Sequence, residues 1–219
     1  MTPPSSRPPS EKHSLVLPLL ASGLFVPLFM YRSTGPLDFW ASFSLNIVFL
    51  CGLALAVDPD YRPFLRSDLR KQTGLKITLG IASAILLYAV FFVGNIGLRH
   101  IWPSTGPQIG SVYGFKSGAS TLRIAALLAL VIGPGEELFW RGYLQRAWQT
   151  RFSEGAGWLL TAALYAAVHA GSGNPVLVLA AAVCGLYWGF LFRRYRSPLL
   201  VAVSHTLWDL LVFVAFPFS

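Results

Sequence analysis

Two adjacent glutamates, Glu136 and Glu137, stand in an otherwise apolar stretch from Ile124 to Trp140, and an arginine one helical turn further on, Arg141, directly follows it. Placing such charges in an apolar medium is costly unless each finds a partner. A chain that keeps them there must fold so that they meet one another or meet further polar groups. Glu137 and Arg141 are four residues apart, so on a helix they share a face and pair. Glu136 points about 100° away from Glu137 and needs a partner from another element.

The rest of the chain identifies the apolar medium. Of 219 residues, 54% are hydrophobic and only 12% charged, with a mean hydropathy of +0.58. A soluble domain carries about twice that share of charge. Apolar runs cover 14–30, 37–57, 77–98, 121–150, 157–170, 175–192 and 198–216. Most come close to the ~20 residues that cross hydrocarbon as a helix. The expected fold is all-α, a polytopic membrane helix bundle of about seven transmembrane helices. The first run has no small-x-small cleavage site after it and is followed by further spans, so it is read as a helix and not as a signal peptide.

The order of the chain suggests three regions. Residues 1–13, rich in Pro and Ser, read as a disordered cytosolic tail. Residues 14–120 hold the N-terminal spans and their loops, and 121–219 hold the polar residues that carry chemistry. Within the second region, 58–76 carries Arg62, Arg66, Arg70, Lys71 and Lys76 and reads as a short interfacial helix. The Gly-, Pro- and Ser-rich segment 99–120 reads as a connector, or at that length as a lid. The fourth run is either one long helix or two halves broken at Gly133-Pro134-Gly135. A break would leave helix-terminal amides beside Glu136.

Cys51 and Cys184 lie in apolar runs and read as packing residues, which leaves no disulfide framework. The net charge of +8 is spread over the segments between spans, so it sets orientation and does not point to nucleic acid. With the N-terminus inside, the inner segments hold Arg7, Lys12, the five cations of 58–76, Arg146, Arg151, Arg193, Arg194 and Arg196. The outer segments hold Arg32, Arg99, Lys116 and Arg123, an excess of twelve to four. The N-terminus is therefore expected in the cytosol and the C-terminus outside.

Three further polar residues fall inside spans: His169, four after Tyr165, and His205 with Asp209, again four apart. A single histidine in such a place is more often a helix-helix hydrogen bond than a catalyst. The set is more telling because its depths agree. Counted from the turn near Glu154, Glu137 and His169 lie about 26 and 22 Å along antiparallel helices. From the turn near Tyr195, His205 and Asp209 lie about 15 and 21 Å in. All six residues are expected to meet in one layer.

Glu136-Glu137-x-x-x-Arg141, Tyr165-x-x-x-His169 and His205-x-x-x-Asp209, in this order on successive spans, resemble the CPBP intramembrane proteases. That family holds the type II CAAX prenyl endopeptidases and their bacteriocin-processing and immunity relatives. The resemblance covers 121–216 and departs at two points: Tyr165 replaces the usual phenylalanine, and Asp209 a common asparagine. It implies an intramembrane endopeptidase, in a prokaryotic cell membrane, acting on a membrane-anchored protein or peptide. Glu136 and His169 would activate water, His205 would stabilise the oxyanion, and Arg141 with Glu137 would hold the first motif in shape. An ionised Asp209 cannot donate to the oxyanion as an amide does; it would orient His205 and keep it protonated, unless burial keeps Asp209 itself neutral.

The alternative chemistry is a zinc site built from Glu136, His169 and His205 with one open position. The chain has no His-Glu-x-x-His helix, and the resemblance implies a glutamic enzyme without a cofactor. Other classes remain: a non-catalytic immunity or scaffold protein, against which the complete motif set argues, and a proton-coupled transporter, whose internal repeats are not seen.

Overall fold

The computed structural model describes residues 13–218. The tail read for residues 1–13 thus lies outside the described residues except for His13, which opens the first helix. The described chain is a bundle of helices with one two-residue hairpin, Ser33–Thr34 (β1) against Leu37–Asp38 (β2). Gly35, at φ +58°, makes its turn. Helix α1 is His13–Tyr31, α2 Phe39–Val57, α3 Tyr61–Arg70, α4 Thr73–Ile101 and α5 Thr105–Tyr113. Helix α6 runs without a break over Thr121–Arg151. After it come α7 Glu154–His169, α8 Pro175–Tyr195, and α9 from Pro198 through Ala215.

Local sequence accounts for most of these boundaries. Asp38, Ser153, Asn174 and Ser197 each accept a backbone N–H from the first turn of the helix they open. Pro175 and Pro198 follow two of these caps, at the position where a missing N–H costs nothing. Asp38 also receives both Nη atoms of Arg123 at the start of α6, at 2.5 and 3.1 Å. This pairing holds the Asp38 carboxyl below the ordinary carboxylate range.

By length and composition, α1, α2, α4, α8 and α9 each suffice to cross a membrane. A sixth crossing follows if α5 and α6, bent by 88° to one another, are counted as one broken span. Helix α7, with 16 residues, rises about 24 Å and falls short of a full crossing. The chain is therefore a multi-pass membrane bundle, and length with apolarity supports five or six crossings of the seven expected. Large apolar side chains such as Phe49, Ile85, Val93 and Ile96 are exposed on its flanks, where lipid is the solvent.

Gly133-Pro134-Gly135 does not break the fourth run. The turns before and after it, Leu128–Ile132 and Leu138–Gln145, are π-helical, and this wider winding carries the helix past a proline that has no N–H to donate. No set of free amides is opened beside Glu136. The two glycines serve contact instead. A Cβ on Gly133 would stand 2.5 Å from Thr206 Oγ1, and one on Gly135 would stand 3.0 Å from Ile47 Cγ1. Helix α6 is thus pressed between α2 and α9, and Phe139, Trp140, Arg141, Tyr143 and Leu144 on it are fully buried.

The segment 99–120 forms α5 and a short 3-10 turn, Gly114–Lys116, and is not a plain connector. Pro107 falls in the first turn of α5, where proline is tolerated, so its presence did not exclude a helix. Within 58–76 a helix forms as expected, α3, with Tyr61 buried and Arg62, Arg66 and Arg70 exposed.

Candidate active site

The six residues singled out in the sequence are all buried, with no more than 7% of any exposed. Glu137 and Arg141 pair as their spacing requires, with Nη1 donating to Oε1 at 2.7 Å. The guanidinium also reaches the Gly185 carbonyl on α8 at 3.5 Å. It lies over the rings of Tyr165, at 4.7 Å, and Trp188, at 5.5 Å, contacts that stabilise a desolvated cation.

The same Glu137 oxygen is 2.7 Å from Nδ1 of His205 on α9. A carboxylate paired with arginine only accepts, so Nδ1 carries the proton and donates it. The resemblance, with Asp209 in place of asparagine, implied that Asp209 orients this ring; in the fold Glu137 holds Nδ1 and Asp209 faces the other nitrogen. Nε2 stands 3.5 Å from Asp209 Oδ2 and 3.7 Å from Glu136 Oε2. Trp188 stacks on the ring at 3.7 Å between centroids and 20° between planes, so His205 is fixed at its edge and on one face.

Glu136 is held by a residue that the sequence reading passed over. Trp140 Nε1 donates to Glu136 Oε1 at 3.2 Å. Its i, i+4 spacing is the same one that identified the other pairs and was sufficient to find it. Nothing in the sequence marked Trp188, since its partners lie on other helices. His169, at the end of α7, sits 2.7 Å from the Tyr165 carbonyl through Nδ1. A carbonyl only accepts, so this ring too has its proton on Nδ1, and Nε2 is left as its acceptor. Phe29 of α1 packs on the same imidazole at 4.5 Å.

Glu136, His169, His205 and Asp209 line one cavity of about 490 Å³. Glu137 and Arg141 lie behind its wall. Most of the remaining lining is aromatic or aliphatic, including Phe29, Tyr165, Trp188 and Trp208. A concave apolar pocket with a few convergent polar groups is the usual form of a small binding or catalytic site. Among the described residues, no three His, Cys, Asp or Glu side chains are placed to hold a metal ion. Cys184 also lines the cavity, and Cys51 is 3.3 Å from the Gly135 carbonyl; both are free thiols.

Residues 118–211 match a family model described as type II CAAX prenyl endopeptidase, Rce1-like. The matched segment begins just before α6 and ends two residues past Asp209, so it holds all six residues of the site. Over this segment the resemblance to the CPBP and CAAX proteases stands. No curated protein and no solved structure matches the chain.

Proposed function

We propose that the chain is a glutamic intramembrane endopeptidase that hydrolyses peptide bonds of membrane-anchored substrates, with its N-terminus in the cytosol of a prokaryotic cell. The observation that carries this reading is that Glu136, His169, His205 and Asp209 line one cavity, within a segment similar to a protease family.

Glu136 takes a proton from water while the water oxygen attacks the scissile carbonyl carbon. Trp140 keeps one carboxylate oxygen engaged and leaves the other for the base. His169 accepts the second hydrogen of the water through Nε2. Negative charge then grows on the former carbonyl oxygen. His205, when protonated at Nε2, donates to that oxygen, with Glu137 and Asp209 balancing the imidazolium. The proton held by Glu136 passes to the leaving nitrogen as the C–N bond breaks. Arg141 touches no reacting atom; it holds Glu137, which holds His205.

The direct test compares, by mass spectrometry, membrane-anchored peptides from cells carrying the wild-type protein and the Glu136→Ala variant. Peptides whose new ends appear only with the wild type identify the substrate, and identical profiles would remove the peptidase reading. No metal takes part in the scheme, so purified protein is expected to keep its activity in excess chelator. Loss on chelation, with recovery on adding zinc, would reassign Glu136, His169 and His205 as ligands.

Asp209→Asn is expected to lower the rate by less than about tenfold and to change the pH-rate profile. The amide keeps the shape of the carboxylate beside Nε2 and supplies a donor, but removes a titrating group. A loss as large as that of a general base would place Asp209 in the proton path itself.

A further inference from the structure

The cavity does not divide the bundle evenly. Its lining comes from the C-terminal parts of α1, α4, α7 and α9, the N-terminal parts of α2, α6 and α8, and α5. Trp188 and His205, near the midpoints of their helices, are its deepest members on α8 and α9. Glu136 lies fifteen residues from either end of α6, about 22 Å from each, and the cavity lining extends from this level toward the end that holds α5.

The opposite end carries the positive charge. There Arg146 pairs with Asp58, Asp68 receives Lys76 Nζ and the Leu199 amide, and Arg196 reaches Gln149. These contacts gather α3, the C-terminal ends of α6 and α8 and the first turn of α9 into one rim. Arg62, Arg66, Arg70, Lys71, Arg193, Arg194 and Arg196 are exposed on it. The cavity end has Arg32, Arg99, Lys116 and Arg123. Basic rims face the cytosol.

On one side the cavity is bounded by α4 and α8. Helix α4 packs on α9, and α8 packs on α7. Between α4 and α8, the bond from Tyr187 Oη to the Ser83 carbonyl, 2.9 Å, closes the deep end. Helix α5 roofs the shallow end, pinned to α8 by Asn174 Nδ2 donating to Gln108 O and Ser111 Oγ, each at 2.8 Å. The lips between them, Val90 on α4 and Leu179 on α8, line the cavity and are 49% and 45% exposed. Both face lipid.

We propose that the site takes its substrate from the non-cytoplasmic side of the membrane, as a peptide with an apolar anchor in that leaflet, entering sideways between α4 and α8 beneath α5. This rests on the peptidase reading for what happens to the peptide, but not for the side from which it comes. A largely apolar side entrance admits an anchor without exposing it to water, and the groups proposed to react line the cavity behind it.

The test labels single cysteines in intact cells with a membrane-impermeant maleimide, in a background carrying Cys51→Ser and Cys184→Ala. Ser104→Cys, exposed at the turn before α5, is expected to label directly. Ser67→Cys, exposed on α3, is expected to label only after permeabilisation. Any other pattern overturns the proposal. A second arm offers two anchored peptides, one with its cleavable segment outside the anchor and one with it inside. Cleavage of the outer one alone supports the proposal, and cleavage of the inner one overturns it. If neither is cut, the peptidase reading fails, and the labelling pattern still decides the side of access.

Discussion

Glu136→Gln is expected to abolish cleavage, lowering kcat by about 10²- to 10⁴-fold, equivalent to about 3 to 5 kcal/mol of barrier. The amide matches the carboxylate in size, and its oxygen still accepts from Trp140 Nε1, the contact that now positions Glu136. Folding should therefore be nearly unchanged, and the loss falls on proton transfer alone, since an amide does not take a proton from water. The measurement is the turnover of an anchored peptide by purified protein, with the thermal unfolding midpoint recorded alongside. More than about a tenth of wild-type turnover, with the midpoint unchanged, would remove Glu136 as the base and leave His169 to be tested in that role.

Glu137→Ala is expected to act mainly on stability. Removing this carboxylate strands a guanidinium that is fully buried and also frees Nδ1 of His205. Breaking one side of a buried pair typically costs about 3 to 5 kcal/mol, because the remaining charge is left without compensation. The expected results are a lower unfolding midpoint in detergent, reduced yield and lost activity. A second substitution, Arg141→Met, in the same background separates the causes. Replacing both partners by apolar groups is often close to neutral, so stability should recover in large part. Activity should not recover, because His205 still lacks the group that holds its Nδ1. If the double variant is as unstable as the single one, the pair is not the source of the loss.

The two results together would separate the reacting group from its support. They also address adjacent residues that sequence alone treats as one motif. Glu136 and Glu137 differ by 100° of helix rotation, which the helical period gives at once. That difference is why one lines the cavity and the other stands behind it.

Several features of the site were legible before any coordinates. The apolar runs demanded helices, because backbone polar groups in lipid must be satisfied within the chain. Four-residue spacings paired Glu137 with Arg141 and put His205 and Asp209 on one face. Counting rise from the turns placed all six residues at similar depth. These properties belong to single helices, whose period and rise the chain fixes locally.

What only the tertiary structure decided is how those helices are turned and pressed against one another. The closeness of α6 to α9 depends on Gly133 fitting beside Thr206, and it brings Glu137 to His205, a pair 68 residues apart. The continuity of α6 through Pro134 depends on π-helical turns on both sides. Tyr61 on α3 joins the second of these by donating to the Leu138 carbonyl at 2.5 Å. The stacking of Trp188 on His205 and the roofing of the cavity by α5 have no counterpart in any spacing along the chain. The sequence by itself determined which residues share a face and a depth. Which faces meet was settled by packing, because rotation of one helix against another leaves every local period unchanged and is fixed only by the shapes that must interlock.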